Sequence, residues 1–414
     1  MITRKIKKGA YKQFFMKRIL LLSITIITLT LFGCASVPDE VKNDITKYNN
    51  IQENKSDFDF SYIDVSDLKN DVETALTKDY GQFKISDKIK FSVPSEINIM
   101  SFKPVKGFLS KSDKAIRLFY TDDQLSKQEI SNDGHYYEFW NEKDKLYGNV
   151  CDDGFIAILK PDTFDISFNY SEPNVKIYHT DRNDNLNDEY QLKDQKCSIK
   201  EAAEYIDNWL DKEYGVLFPE LDYNVKTIIV REHQGKYLYE ILAEASYKGV
   251  PIDSYTAEME EDEETHKPTG KMLFYHFKIG IQMISKNTID SFTSGAESIT
   301  EPKAEEAVSR CISLESTLSY CQHTFTDFKN TLISDIGVMY TLNPVYEYDR
   351  EGKLCTVGYN SRPVWEIIID VPPEEFIPAG EENTYGDMKK YIYIDMITGE
   401  CKYDFDIVTQ GIGG

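Results

Sequence analysis

One helical segment followed by several strand-like segments recurs along this chain. One such unit starts at Ser198 and another near Thr300, and after each helix apolar and polar residues alternate with a period of two. Ser198 and Glu201 also form a capping box, since each side chain can accept a hydrogen bond from the other residue's backbone amide. Helices on one face of antiparallel sheets give an α+β fold. The sequence therefore predicts repeated units of one helix packed on a small antiparallel sheet.

Apolar spacing and stop signals set the bounds of the predicted elements. The predicted helices are Ser66–Tyr80, Lys111–Tyr120, Ser198–Tyr214 and Thr300–Leu318. Trp209 and Leu318 are expected to be largely buried. The predicted strands are Lys88–Val93, Ile97–Phe102, His135–Trp140, Leu146–Val150, Phe155–Leu159, Phe164–Tyr170, Val225–Val230, Tyr237–Glu244, Leu273–Ser285, Gly337–Leu342, Val345–Tyr348, Pro363–Val371, Lys390–Met396 and Tyr403–Ile407.

The first 33 residues have the features of an export signal. They contain seven Lys and Arg and no acid, followed by an apolar run of about 14 residues, Ile19–Phe32. A membrane-spanning helix needs about 20 residues, so a weak transmembrane anchor is the less favoured alternative. Translation could start at Met1 or at Met16, and the sequence leaves this open.

The string Leu31-Phe32-Gly33-Cys34 resembles a lipobox, the site at which bacterial lipoprotein precursors are lipidated and cleaved. This resemblance implies a lipid on Cys34, a mature protein that begins there, and a location on the extracytoplasmic face of a cell membrane. The polar residues that follow predict a tether. The expected organisation is a signal peptide over 1–33, a tether over 34–62, an N-terminal α+β domain over 63–195, and two further α+β units over 196–298 and 299–414.

Two aromatic-rich strings near the C-terminus carry a second resemblance. They are Arg362–Ile367 and Tyr391–Glu400, the latter ending in a Thr-Gly-Glu turn. With the preceding helices, residues 198–252 and 300–408 resemble PepSY-type modules, and the whole chain resembles uncharacterised lipoproteins of clostridia and their relatives. The resemblance implies one helix on a small antiparallel sheet and an inhibitory or regulatory role.

Acidic residues dominate the chain after residue 33, where 40 basic side chains stand against 70 acidic ones. This charge repels phosphates and so argues against nucleic acids and anionic lipid surfaces as partners. Aromatic residues make up 13% of the chain, with 28 Tyr. They can form sugar-stacking platforms, but packing within Tyr- and Phe-rich strands is the favoured interpretation.

The remaining cysteines do not form a metal or redox motif. No Cys-x-x-Cys pair occurs, so neither zinc nor thioredoxin-like chemistry is indicated. An extracytoplasmic location permits disulfides, whereas the apolar surroundings favour buried free thiols. Their disulfide state stays open, with Cys355 and Cys401 as the pair to check. The cysteines are Cys151, Cys197, Cys311, Cys321, Cys355 and Cys401.

The segment Thr180–Glu189 alternates oxygen-bearing side chains as a calcium loop does. An EF-hand loop that starts at Asp181 needs Gly at its sixth position and Glu at its twelfth, but Leu186 and Leu192 stand there. A polar linker is therefore favoured, and no metal site or cofactor is predicted. The six His residues are scattered, and no hydrolase elbow, P-loop or dinucleotide motif occurs. No catalytic residue is assigned.

Glu366 and Asp370 are the least ordinary acids in the chain, because they share one face of an apolar strand with Ile368 between them. If buried together, they could have raised pKa values and perform acid–base chemistry. The favoured alternative is a wet face, or pairing with Arg362 or Lys389, because acids seldom stay buried without a partner.

Three functions remain in competition. A membrane-tethered extracytoplasmic binding or regulatory protein is favoured, because no catalytic motif occurs and the anchor is lipid. A cell-surface hydrolase would need two acids about 5–10 Å apart in one cleft. A solute-binding lipoprotein of a transporter would need strands that alternate with helices throughout. A protein or a cell-wall component stays open as the partner.

Overall fold

The computed structural model describes most of the chain after residue 57. Cys34, the predicted signal peptide, most of the predicted tether and the strand Phe164–Tyr170 lie outside the described residues. No helix among the described residues is long and apolar enough to cross a bilayer. The described residues are 58–120, 127–130, 136–141, 146–159, 174–233, 235–253, 255–261, 268–276, 279–294, 299–324, 331–348, 354–371 and 388–407.

Two compact units make up the chain. The larger consists of Glu53–Val345 and Gly358–Gly414. The smaller consists of Met1–Gln52 and Tyr346–Val357, and its described residues are strand residues 346–348 and 354–357. The sheets, core and sites below belong to the larger unit.

Four α-helices occur among the described residues: α1 (Leu68–Thr77), α2 (Ser112–Arg117), α3 (Ile199–Trp209) and α4 (Leu314–Thr324). The predictions for α1 to α3 are confirmed within a few residues. The capping box is confirmed, because the Ser198 hydroxyl accepts from the Glu201 amide at 3.2 Å and the Glu201 carboxylate accepts from the Ser198 amide at 2.9 Å. A π-helical turn, Leu210–Tyr214, extends α3.

Strands form most of the remaining structure. The N-terminal part contains β1 (Tyr62–Asp64), β2 (Phe83–Ile85), β3 (Asn98–Pro104), β4 (Lys127–Ile130), β5 (Tyr136–Asn141), β6 (Leu146–Cys151), β7 (Ile156–Leu159), β8 (Asn174–His179), β9 (Glu189–Gln191) and β10 (Lys196–Ser198). The C-terminal part contains β11 (Asp222–His233), β12 (Lys236–Tyr247), β13 (Val250–Asp253), β14 (Tyr255–Glu261), β15 (Pro268–His276), β16 (Ile279–Met283), β17 (Ser291–Thr293), β18 (Ile299–Ala307), β19 (Arg310–Ile312), β20 (Thr331–Tyr348), β21 (Leu354–Val371), β22 (Met388–Asp395) and β23 (Cys401–Ile407).

The first sheet is antiparallel throughout. Its strand order is β4-β5-β6-β7-β17-β16-β12-β11-β8. Strands β4 to β8 come from the predicted N-terminal domain and the other four from the predicted second unit. The two regions therefore share one sheet.

A second set of strands runs in the order β18-β3-β21-β22-β23, again antiparallel. Strand β20 pairs in parallel with β2 and with β13, and β13 pairs with β12 of the first sheet. One hydrophobic core runs through the larger unit, and Leu68, Ile206, Phe292, Leu318 and Trp365 are fully buried in it.

The predicted fold class is wrong. In the part of the chain that the structure describes, the protein is mostly β, and it does not consist of repeated helix-on-sheet units. Strand β3 shows why, because it pairs with β18 on one side and β21 on the other, both far away in sequence. An isolated meander leaves unpaired backbone groups at its edges. In this fold, strands distant in the chain satisfy those edges.

The predicted helix Thr300–Leu318 is also wrong. Residues Ile299–Ala307 form strand β18, and α4 begins only at Leu314. The Ser313 hydroxyl accepts from the Ser316 amide at 3.0 Å, and Asp71 of α1 accepts from the Leu314 amide at 2.6 Å. These two caps place the helix start, because the first amides of a helix lack partners within it.

The two burial predictions have different outcomes. Leu318 is fully buried, as expected. Trp209 is only half-buried, although its ring packs against Phe119 and Phe292 at centroid distances of 5.4 and 5.5 Å.

Candidate functional site

The outer face of the first sheet carries a row of side chains that crosses six neighbouring strands. Pairing registers align these residues directly opposite one another from strand to strand. Adjacent strands lie about 4.8 Å apart, so the row is about 24 Å long. We call it the outer row, and its members are Trp140, Tyr147, Leu159, Ser291, Gln282 and Glu240.

The inner face of the same strands belongs to the core and holds the sheet in place. Phe139 and Phe292 are buried there at 1% and 0% exposure. The Phe139 ring packs edge-on against Tyr120, and Phe292 packs against Trp209 of α3. Gly148 lies directly opposite Phe139, and a Cβ atom at Gly148 would overlap that ring. Because side chains alternate across a strand, this packing turns Trp140 and Tyr147 outwards.

The first end of the outer row is aromatic and partly open to solvent. Trp140 stands directly opposite Tyr147 across β5 and β6. Tyr147 keeps 41% of its surface exposed, and Trp140 is half-buried. On the same face, the next cross-strand pair is Glu138 opposite Asn149, both half-buried. An aromatic pair therefore lies beside a carboxylate–amide pair.

The other end of the outer row is polar and buried. Glu240 and Gln282 are 2% and 4% exposed. The Arg231 Nε donates to Glu240 Oε2 at 2.6 Å, and Gln282 Nε2 donates to Glu240 Oε1 at 3.4 Å. Charged side chains are rarely this buried unless they are paired, and here the pairing fixes their orientation. Ser291, at 2% exposure, continues this polar stretch towards the aromatic end.

This arrangement suits binding better than bond breaking. Ligand sites combine aromatic surface with a few oriented polar groups, and the outer row provides both on a rigid sheet. The sequence predicts strands over His135–Trp140 and Tyr237–Glu244 but does not predict the row. The row depends on which strands are neighbours, and no local pattern encodes that.

Glu366 and Asp370 lie on the same strand, β21, as the sequence predicts. Both side chains are half-buried. They are four residues apart on a strand, so their backbones are roughly 13 Å apart. Lys389 stands opposite Asp370 in the register. The guanidinium of Arg362, the other expected partner, lies 3.5 Å from Asp395.

The aromatic residues around this pair form a scaffold. Trp365 is fully buried, and its Nε1 donates to the Ile312 carbonyl at 2.8 Å. Tyr391 and Tyr393 are 6% and 4% exposed, and their rings stack with centroids 6.4 Å apart. They pack with Ile368 in a small cluster beside Glu366 and Asp370. These residues stabilise the sheet through packing.

The acids of the suspected calcium loop have separate basic partners. Asp181 lies 2.9 Å from Lys226, Asp184 lies 2.9 Å from Lys88, and Asp188 lies 2.6 Å from Lys176. Two of these lysines lie on the strands β11 and β8 and the third in the turn after β2, so the carboxylates point in different directions and do not converge on one cation. No group of three or more His, Cys, Asp or Glu is arranged to hold a metal ion in the described part of the chain.

Arg182, which lies within the suspected calcium loop, has a structural role. It is 8% exposed, and its Nη2 donates to Asp335 Oδ2 at 2.9 Å. Burial raises the pKa of Asp335, and the Arg182 charge opposes that rise. The ion pair fastens the loop after β8 to β20.

Asp188 also anchors a tyrosine network. The Tyr178 hydroxyl donates to Asp188 at 2.5 Å, and it lies 2.6 Å from the Tyr190 hydroxyl. Hydrogen bonds from Lys176 and Tyr178 lower the pKa of Asp188, while burial raises the pKa of Tyr178. Both pKa shifts keep the proton on the Tyr178 hydroxyl and leave Asp188 ionised. These hydrogen bonds therefore stabilise the hairpin β9–β10 against β8.

The six cysteines are free thiols, as favoured from the sequence, and Cys355 and Cys401 are not bonded to each other. Cys197, Cys311 and Cys321 are buried. Burial raises the pKa of Cys197 to about 11, and of Cys311 to about 12. Thiols with such pKa values are poor nucleophiles at neutral pH.

Comparisons with known proteins relate the chain to a fold and to nothing more specific. No family model matches the chain, and no curated protein matches it. Among solved structures, it is similar to an uncharacterized protein from Eubacterium rectale ATCC 33656. The TM-score is 0.50 at 15% sequence identity, and the match covers 77% of this chain and 89% of that chain. At this identity the likeness concerns the fold alone.

Proposed function

We propose that this protein is a membrane-tethered extracytoplasmic binding protein, anchored by a lipid on Cys34. Its ligand contacts the outer face of the first sheet. The observation that carries the proposal is the outer row, in which partly exposed Trp140 and Tyr147 lead to the buried polar group around Glu240. The lipobox and the polar residues after it support the location.

Neither alternative function is favoured by a specific observation. A hydrolase would need Glu366 and Asp370 about 5–10 Å apart, whereas their strand positions are roughly 13 Å apart. A transporter's solute-binding lipoprotein would need strands that alternate with helices. The described strands of the first sheet are instead antiparallel, and the described residues contain only four α-helices.

Retention on cell-envelope material tests the proposal. The mature chain, residues 34–414, is incubated with separated membrane and wall fractions of the host, and the bound amount is measured against protein concentration. We expect saturable retention that Tyr147→Ala reduces at least tenfold. Tyr62→Ala is a matched control, because Tyr62 is also 41% exposed but lies on β1. If no envelope fraction retains the wild-type protein, the proposal is wrong.

A further inference from the structure

We infer that the hairpin β14–β15 is a lid that closes over the outer face of the first sheet and limits the access of a ligand to that face. The access role rests on the proposed function, since it concerns the same face. Three observations carry the inference: the place where the hairpin is inserted, the burial of the outer face around that place, and the register of the hairpin.

The hairpin is an insertion into a strand that is otherwise continuous. Pro251 on β13 lies opposite Ser246 of β12. Ile279, the first residue of β16, lies opposite Ala243 of the same strand. These partners are three residues apart on β12, so a continuous strand would take three steps from Pro251 to Ile279, whereas the chain takes 28. Residues 254–278 are therefore an insertion of 25 residues, and the sheet keeps its register without them.

Neighbouring strands force the insertion out of the plane of the sheet. Strand β16 lies between β12 and β17, and β13 pairs with both β12 and β20, so other strands occupy the plane around the insertion. The inner face is filled by the core, which contains Ile241 of β12 and Ile281 of β16. The outer face is the direction that remains for the hairpin.

The outer face is buried around the insertion and open away from it. Ile229 on β11 and Leu238 on β12 are 1% and 2% exposed. Their chain neighbours Val230 and Tyr239 belong to the core on the other face. An antiparallel sheet commonly leaves its second face to water, so burial on both faces indicates a further layer. The buried strip continues to β17 but ends before β6, where Tyr147 is 41% exposed. Its middle strands are β12 and β16, the strands at the insertion.

The hairpin has the length and the sequence pattern of a cover. Within the described part of the chain, β14 and β15 form a two-stranded sheet of their own. Such a hairpin is only marginally stable in water unless it packs on something. The register puts Ala257 opposite Phe274 and Met259 opposite Met272, so four apolar residues share one face. Strand β15 has nine residues and is about 30 Å long, enough to cross the buried strip.

A closed lid competes with a ligand for the outer face. Tyr147 lies two strands from β17, about 10 Å away. A ligand that extends further than this across the sheet from Tyr147 meets the lid. Opening exposes Ile229 and Leu238 to water, which favours the closed form. Because only the open fraction of the protein binds such a ligand, the lid lowers its apparent affinity by that fraction.

Thiol labelling tests whether the hairpin is the cover. Ser291 on β17 is 2% exposed, and it is replaced by Cys in the mature chain, residues 34–414. Peptide mass spectrometry then measures how fast N-ethylmaleimide modifies this site. We expect Phe274→Glu, which puts a charge on the apolar face of the hairpin, to raise the rate at least tenfold. Tyr275→Glu is the matched control, because Tyr275 lies on the opposite face of the same strand, and it should leave the rate unchanged.

Excision of residues 254–278 tests the effect on the ligand. It joins Asp253 directly to Ile279, and circular dichroism with thermal unfolding establishes that the shortened chain folds. We expect envelope fractions to retain this chain at a protein concentration at least fivefold lower than the full mature chain requires. Phe274→Glu in the full mature chain should shift retention in the same direction by at least twofold, so the test does not depend on the folding of the shortened chain.

The outcomes separate the lid from the proposed function. If neither Phe274→Glu nor Tyr275→Glu changes the labelling of Ser291→Cys, another segment is the cover, and the inference is wrong while the binding function stands. If labelling rises but retention does not change, the hairpin covers the face without limiting access, and the lid role is wrong. If envelope fractions retain none of these proteins, the proposed function is overturned and the access role with it.

Discussion

The ring of Phe60 lies in the space that a Cβ atom on Gly399 would occupy. Gly399 has a φ of 75°, and its amide donates to the Asp395 carbonyl at 2.9 Å in the turn after β22. Phe60 also packs against Tyr320 of α4, with ring centroids 5.2 Å apart. The first described residues are thereby fastened to the C-terminal strands.

We predict that Gly399→Ala lowers the free energy of unfolding by about 3 kcal/mol. Roughly 1 kcal/mol comes from a side chain at positive φ, and the rest from overlap with the Phe60 ring. Urea unfolding measures the loss. Gly107→Ala is the control, because Gly107 also has a positive φ, of 70°, but no atom lies within 4 Å of its Cβ position. This variant should lose only the roughly 1 kcal/mol that comes from the positive φ. Equal losses at the two glycines would contradict the overlap.

Protonation of Glu201 is expected to destabilise the protein in acid. A hydrogen bond from Lys286 and then the Ser198 amide lower its pKa to about 2, from an ordinary 4.5. The unfolded state thus binds the proton more readily, so this contribution is complete above pH 4.5 and is lost as the pH falls towards 2. In Glu201→Gln, the dependence of the melting temperature on pH should flatten in that range.

A control for this effect lies on the same helix. Glu204 is exposed and lies 3.7 Å from the exposed Lys200. Glu204→Gln should leave the pH dependence as in the wild-type protein. If it flattens the profile as much as Glu201→Gln does, the Lys286 contact is not the cause.

Loss of the Arg182 charge should leave the Asp335 carboxylate buried without its cation. We expect Arg182→Met to lower the free energy of unfolding by about 3 kcal/mol at pH 7. The pKa of Asp335, already raised by burial, should rise further, because both the charge of Arg182 and its hydrogen bond lower it. A protonated Asp335 carries no charge, so the deficit should shrink at pH 4.

Urea unfolding of the Arg182→Met protein at both pH values measures this deficit. Lys88→Met removes an ion pair in which the lysine is 60% exposed, and it should cost less than about 1 kcal/mol. A deficit for Arg182→Met that is the same at pH 7 and pH 4 would show that lost packing, and not the charge, is responsible.

Replacement of Cys34 by Ala should prevent lipid attachment. The signal remains apolar, so the protein should accumulate as an unprocessed precursor or be released from the cell. Cell fractionation and the mass of the mature N-terminus measure the outcome. A variant that matures to the wild-type size and stays in the membrane fraction would show that the lipobox interpretation is wrong.

The thiols of Cys321 and Cys401 should resist alkylation in the native protein. Burial raises the pKa of Cys401 to about 11, and Cys321 is buried with a pKa well above its ordinary value. At pH 8 iodoacetamide should therefore modify them slowly until denaturant is added. Peptide mass spectrometry measures this, and a disulfide-linked peptide joining Cys355 to Cys401 would contradict the free-thiol state.

Features that depend on neighbouring residues could be predicted from the sequence. Ser198 and Glu201 are three residues apart, and their capping box forms as expected. The alternation over Val225–Val230 and Tyr237–Glu244 likewise predicted strands, and these residues lie on β11 and β12. These signals are local, because hydrogen bonds and side-chain directions within a few residues repeat with the element's own period.

The tertiary structure alone decided which strands pair and where the candidate site lies. Trp140 and Glu240 belong to one row only because β7 pairs with β17, which lies more than 100 residues further along the chain. The start of α4 likewise depends on Asp71, which lies on α1 and caps Leu314 across the fold. Such contacts are selected by burial of apolar faces and by the pairing of open strand edges. A single sequence indicates which faces are apolar, but the packing of the whole chain determines which faces pack against each other.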